Sequence, residues 1–183
     1  CELNTKHYEK AITFFKKQYD IDMSENFYNA DIFTFKNKKF DILFGNPPWQ
    51  NFVDLPDSYK DFIKDYFHKY DLVKNKKTLL LGGSRVDIAS LVIQKSIKDN
   101  LKKNGECIFF IPLSILLNDG ANEYFRKFRI FETEYSLDVV YDFNKEEIFN
   151  NISTRYGLVH FTRDRKTTYP IDYFLLLNGK IVQ

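Results

Sequence analysis

The chain has 183 residues, enough for one domain with a real hydrophobic core. Hydrophobic residues make up 44% and charged residues 28%, which excludes a disordered chain. No apolar run approaches the roughly 20 residues of a membrane-spanning helix, and a formal charge of +2 neither demands nor excludes nucleic acid, since binding follows clustered charge.

The chain opens on Cys1-Glu2-Leu3, with neither an initiator Met nor a signal-peptide pattern, and reads as a cut inside a longer protein. Residues Thr5 to Gln18 place Tyr8, Ala11, Ile12 and Phe15 at helical spacing among lysines, which predicts an amphipathic helix. Asp31-Ile32-Phe33 reads as the end of a short strand. Phe40 to Phe44 is a compact apolar run that enters Gly45 and a Pro-Pro pair, and predicts a buried parallel strand stopped by turn residues. Ser58 to Tyr70 predicts a helix with Tyr59, Phe62, Ile63, Tyr66 and Phe67 on one side, followed by a loop from Leu72 to Arg85.

Asp87 to Lys103 is the clearest helical pattern, with Asn104-Gly105 as its stop. Glu106 to Pro112 predicts a fully apolar strand, Ala121 to Ile130 a helix, and Leu137 to Phe143 and Tyr156 to Arg163 two further strands. Alternating helices and apolar strands imply an α/β domain with a mainly parallel sheet, and the two late strands imply an antiparallel edge. Beyond Arg165, Tyr169-Pro170, a leucine run and Asn178-Gly179 read either as a final hairpin or as the start of another domain. Cys1 and Cys107 form no spacing pattern, so neither a disulfide framework nor a zinc site is expected, and a reducing cytoplasm is the expected setting.

Chemistry is expected at Asn46-Pro47-Pro48-Trp49, directly after the strand at residues 40–44, because open α/β sheets bind ligands beyond the carboxyl ends of their strands. A rigid turn is the plain alternative, since proline fixes φ. The motif resembles that of the amino-methyltransferases, Asn or Asp, then Pro-Pro, then an aromatic residue. The long downstream stretch resembles the N6-adenine-specific DNA methyltransferases of restriction–modification systems. That resemblance implies a Rossmann-like S-adenosylmethionine-dependent fold and transfer of a methyl group to the N6 amine of a flipped adenine in double-stranded DNA. It gives Asn46, Pro47, Pro48 and Trp49 the catalytic positions. The Asn46 amide oxygen and the Pro47 carbonyl would each accept one amine hydrogen, and Trp49 would stack on the base. No metal is implied.

The same resemblance makes Glu2 the acceptor for the cofactor ribose hydroxyls and Asp31 the acceptor for its adenine amine, with Ile32 and Phe33 against the purine and Asn46 bordering the cofactor. Asp31 precedes Asn46 by fifteen residues, a strand–loop–strand step. Residues 87–112 resemble the family's packing helix and fifth strand. Tyr141-Asp142-Phe143 and Ile148-Phe149-Asn150 resemble its late motif, which would put Phe149 beside the flipped base; in a chain with 19 Phe an ordinary core residue is the rival reading. Lys74, Lys76, Lys77 and Arg85 could meet DNA phosphates, against the commoner explanation of a solvated basic loop.

The family's first motif, a glycine-containing loop toward the methionine end of the cofactor, has no counterpart among the 7 Gly. The expectation is therefore a catalytic domain over residues 1–165, incomplete at its N-terminus and lacking the first strand. Residues 166–183 would be a final strand or the start of a following domain. Weak or absent cofactor binding is expected of the chain alone. A nuclease or target-recognition domain in the same protein is a further expectation, and a membrane is not. Two alternatives share these residues: methylation of a glutamine side chain or of an RNA guanine amine, and a truncated non-catalytic DNA-binding module.

Overall fold

The structure is a computed structural model that describes residues 1–36, 38–74, 85–143, 146, 148–149 and 152–183. Its contacts divide it into two compact units, Cys1–Asn37 and Lys38–Gln183.

In the first unit, α1 (Thr5–Tyr19) begins where Asn4 caps it, its side-chain oxygen accepting from the Lys6 and His7 N–H groups at 3.0 and 3.2 Å. It ends at Asp20, which takes the left-handed conformation (φ 55°) and pairs with Lys16 at 2.6 Å. The helix buries none of its residues, although Tyr8 stacks on Phe27 at 5.3 Å. Glu2 and Asn29 form an isolated parallel bridge, with Glu2 N–H donating to the Tyr28 carbonyl and Ala30 N–H to the Glu2 carbonyl. The expected strand end at Asp31 is not found. Asp31 opens a tight turn instead, its carboxylate accepting from Phe33 N–H at 2.8 Å and its carbonyl from Thr34 N–H at 3.0 Å.

The second unit is built on a seven-stranded sheet. Its strands are β1 (Phe40–Gly45), β2 (Leu101–Pro112), β3 (Arg129–Ile130), β4 (Thr133–Asp142), β5 (Tyr156–Arg163), β6 (Asp172–Leu177) and β7 (Lys180–Val182). The order is β1-β2-β5-β4-β6-β7, with β3 paired to β4. Among the described residues β1/β2 and β4/β6 are parallel, and β2/β5, β3/β4, β4/β5 and β6/β7 antiparallel. The α/β class holds, but among the described residues antiparallel pairings outnumber parallel ones. The antiparallel pair expected at an edge is internal, with β5 between β2 and β4. Residues 172–182 form a hairpin that continues this sheet from β4.

Helix α2 (Asp57–Lys69) buries Ile63 and Phe67, while Phe62, expected on the same face, stays 41% exposed. Helix α3 (Ile88–Lys95) is buried throughout and runs into a wider π turn over Ser96–Asn100. The helix expected to reach Lys103 therefore stops at Asn100. Leu101 already pairs with Phe40, and Asn104, at φ 55°, lies in an irregularity between the Phe40/Leu101 and Ile42/Glu106 pairs, inside β2 instead of after a helix.

The expected helix over residues 121–130 is also absent. A single 3-10 turn at Phe125–Lys127 leads to Phe128 at φ 49° and then into β3, and Phe131 is left-handed too (φ 53°). The core beneath is aromatic: Phe125, Tyr135 and Phe161 are buried and meet at ring distances of 5.7–6.3 Å. Strand β1 departs from expectation in burial. It is a strand and parallel to β2, but Ile42 and Phe44 are 66% and 70% exposed. The apolar run is at one end of the sheet order, and among the described residues nothing in its own unit covers that face.

Candidate active site

The register places four strand ends on one edge of the sheet. Gly45, at the end of β1, pairs with Phe109 of β2; Pro112, at the end of β2, pairs with Tyr156, where β5 begins; Asp142, at the end of β4, pairs with Gly157. Gly157 permits the close approach, because a Cβ there would lie 2.5 Å from the Tyr141 carbonyl. This is the carboxyl edge of the parallel strands, where an α/β sheet presents its chemistry.

Asn46-Pro47-Pro48-Trp49 leaves β1 at this edge. Pro47 is buried, Asn46 and Pro48 are exposed, and Trp49 is half-buried with its indole N–H donating to the Phe110 carbonyl at 3.2 Å. The segment is pinned just downstream: Phe52 N–H donates to the Val86 carbonyl at 3.0 Å and Ile88 N–H to the Gln50 carbonyl at 2.9 Å, bridging Asn51 to Asp87. Asp87 caps α3 by accepting from Ala89 N–H at 2.8 Å. Burial pushes its carboxyl up to about 6, against the opposing pull of that N–H.

Trp49 belongs to an aromatic cluster. Its ring stands perpendicular to Phe149 at 5.6 Å and tilted against Tyr156 at 5.4 Å. Phe149 also meets Phe110 at 5.4 Å, and Phe110 meets Phe143 at 5.5 Å. Perpendicular rings in contact leave no slot between them, so Trp49 and Phe149 form a corner. Sequence reasoning brought Trp49 and Phe149 to the site, and the structure brings them together. It also adds Phe110, Phe143 and Tyr156, to which the sequence assigned no role of their own, although Phe143 lies in the late motif and Tyr156 begins the strand after it. Their one sequence signal was position, at or beside strand ends on the motif's edge.

The stem of the segment that carries Phe149 is closed by a buried acid. Asp142 has no exposed side-chain surface; it accepts two N–H donors of Arg155 and the Tyr173 hydroxyl at 2.6 Å. Burial, then the bond to Asp142, push the Tyr173 phenol up to about 12. The same acid's bond to Arg155 holds that guanidinium further toward its charged form.

The remaining predicted residues fall in other parts of the chain. Glu2 and Asp31 lie in the first unit, where the Glu2 carboxylate accepts from Asn4 N–H at 2.7 Å; Ile32 is half-buried and Phe33 buried. Lys74 and Arg85 are exposed, and Lys76 and Lys77 lie outside the described residues. Among the described residues no group of His, Cys, Asp and Glu could hold a metal ion, and no helix is long and apolar enough to cross a membrane.

Similarity to known structures fits this architecture. A methyltransferase subunit of a type I restriction-modification system from Streptococcus thermophilus aligns over 100% of this chain and 38% of its own, with a TM-score of 0.62 at 17% identity. A class I S-adenosylmethionine-dependent methyltransferase from Listeria monocytogenes aligns over 81% of this chain and 40% of its own, with a TM-score of 0.55 at 12% identity. The type IIG restriction endonuclease BpuSI aligns over 80% and 16%, with a TM-score of 0.54 at 13% identity. The chain thus spans well under half the length of each, and identities this low establish the fold, which is that of S-adenosylmethionine-dependent methyltransferases. No curated protein matches the sequence. Residues 1–149 match the Eco57I restriction-modification methylase family, and the chain belongs to that family.

Proposed function

We propose that this chain carries the amine-methylating centre of a restriction–modification DNA methyltransferase that acts on the N6 amine of adenine, with S-adenosylmethionine as methyl donor. The observation that carries the reading is the exposed Asn46 amide held at the sheet's carboxyl edge between a strand end and a buried Pro47. The N6 lone pair is delocalised into the purine ring and is a poor nucleophile. With one amine hydrogen on the Asn46 oxygen and the other on the Pro47 carbonyl, the nitrogen is drawn toward a pyramidal shape and its lone pair is freed for attack. Pro47 offers no N–H to compete, and the Pro-Pro unit holds both acceptors in place. The half-buried Trp49 keeps part of its indole available for stacking an extruded base, with Phe149 at its edge.

The donor set suits the nucleoside part of the cofactor. Glu2 accepts a local N–H from Asn4, and a carboxylate has about four lone-pair sites, which suits it to ribose hydroxyls. Asp31, a carboxylate in the same unit that accepts from Phe33 N–H, is of the type that an adenine amine needs. Ile32, half-buried, keeps apolar surface for the purine, whereas Phe33 is buried. When bound, S-adenosylmethionine supplies an electrophilic sulfonium methyl. The partners that fit this reading are duplex DNA, met at its phosphates by basic residues such as Lys74 and Arg85, and a nuclease or recognition domain of the same system.

The test is transfer of a tritiated methyl group from S-adenosylmethionine by the full-length protein to unmethylated duplex DNA, RNA or a translation release factor. Label in DNA, recovered as N6-methyladenine, is the expected result; label confined to RNA or protein would overturn it. Asn46→Ala should lower the rate by roughly 10²–10³-fold, the usual effect of losing one positioned hydrogen-bonding group. Undiminished activity in that variant would remove Asn46 from the chemistry.

A further inference from the structure

Tyr156 is buried at the start of β5, and nothing in the motif that names the chemistry points to it. Its backbone is fixed on the sheet: it pairs with Pro112 of β2, and its carbonyl accepts from Phe143 N–H at 3.1 Å. Its hydroxyl reaches the other way, into the segment that carries Phe149. That one oxygen accepts from Ile148 N–H at 2.9 Å and Phe149 N–H at 3.3 Å, and donates to the Glu146 carbonyl at 2.8 Å. A phenol has one proton and two acceptor positions, so the three bonds use its capacity in full. Its ring meanwhile touches Trp49 at 5.4 Å, Phe149 at 5.3 Å and Phe143 at 6.0 Å.

We propose that Tyr156 is a positioning residue for the target base: it ties the backbone at Phe149 to the rigid sheet and sets the Trp49–Phe149 corner before DNA arrives. The inference rests on the reading of this edge as the base-methylating site and deepens it. A ring carried on a connecting segment must otherwise be ordered when the base binds, and that cost is subtracted from binding. Tyr156 removes the cost in advance by holding three backbone groups, of Glu146, Ile148 and Phe149, from one fixed point. The Asp142–Arg155 pair performs the complementary task by closing the stem of the same segment, Asp142 at its start and Arg155 at its end.

Tyr156→Phe keeps the ring and deletes the three hydrogen bonds. Amide hydrogen exchange in the free protein reads the positioning directly: exchange at Ile148 and Phe149 should accelerate at least tenfold, with the β5 amides unchanged. Unaltered exchange at 148 and 149 would overturn the proposal whatever the substrate proves to be. In methyl transfer to duplex DNA the variant should raise the KM for DNA about tenfold and leave the KM for S-adenosylmethionine unchanged. In a Phe149→Ala background the same substitution should add little. An equal further loss there would show that Tyr156 acts through something other than Phe149. Asn46→Ala separates the two levels: activity that survives it removes the reading of the site, whereas full sensitivity to Asn46→Ala with none to Tyr156→Phe removes this inference alone. Tyr156→Leu, which also deletes the ring contact with Trp49, should be worse than Tyr156→Phe in both readouts.

Discussion

Two apolar runs, Phe40–Phe44 in β1 and Glu106–Pro112 in β2, read alike in sequence and pair with each other in parallel, yet they live in different environments. In β2, Cys107 and Ile111 are fully buried and Phe109 nearly so, on a strand flanked by β1 and β5. In β1, Ile42 and Phe44 keep most of their surface. Hydrophobicity decides that a segment is a strand; the elements packed on each side decide what that strand contributes. The Asn46–Trp49 motif leaves from the strand with the weaker cover, so it is held largely through the β1/β2 ladder and the bridge at Asp87.

The sharpest break of this comparison is a pair of truncations in the 183-residue chain. Ile111→Ala deletes buried methyl groups and should cost roughly 2–5 kcal/mol, the range for large-to-small core substitutions. Ile42→Ala, at a side chain 66% exposed, should stay within about 0.5 kcal/mol. Urea unfolding of both variants measures the difference. Equal losses would show that β1 is covered after all.

A second effect lies at the exit of β1, where the motif is pinned. Asp87 has its carboxyl raised from 3.8 to about 6 by burial. A raised pKa means that the folded state holds the proton more tightly than the unfolded chain. The associated stability is fully present below the unfolded value and is lost as pH rises through about 6. The loss can reach about 3 kcal/mol as an upper bound, at 1.36 kcal/mol per pH unit. Asn is an equally good helix cap without the charge, so Asp87→Asn should flatten the stability profile between about pH 4 and 7. A profile that keeps its slope in the variant would place the titration elsewhere.

Legibility in the sequence divides the same way, between local and distant causes. The spacing of α1, the strand Tyr156–Arg163 and the motif at a strand end are local features, and the structure has each of them. The end of α3 is not local. Lys102 and Lys103 favour a helix by propensity, but the carbonyls at its end are capped from 62 or more residues away. There, Arg163 donates to the carbonyls of Ile97, Lys98 and Leu101 at 3.2, 3.1 and 2.5 Å. The pattern over 121–130 failed for a similar reason: the Phe125 carbonyl is taken by the buried Tyr135 hydroxyl at 3.1 Å, and Phe128 turns left-handed into β3. At the site, Trp49 was legible because the motif spells it, whereas Tyr156 acts through a hydroxyl whose partners only the folded chain brings near.

The smallest effect tests the seam between the two strands. Lys102 of β2 reaches across to Asp41 of β1 at 2.9 Å, and its hydrogen bond and charge hold the Asp41 carboxyl below the usual aspartate range. Both side chains are largely exposed, so the pair is screened by solvent and salt and should matter little to folding. Its stabilising sign is present above the ordinary aspartate pKa and is lost as pH falls through the depressed value. Lys102→Ala should let the Asp41 carboxyl rise toward its ordinary value in an NMR titration, and high salt should do the same to the unmodified chain. The unfolding midpoint should hardly move in either case. A rise in the Asp41 pKa together with a clear loss of stability would show that the β1/β2 seam depends on this one pair, and the contrast between the strands would then rest on charge as well as cover.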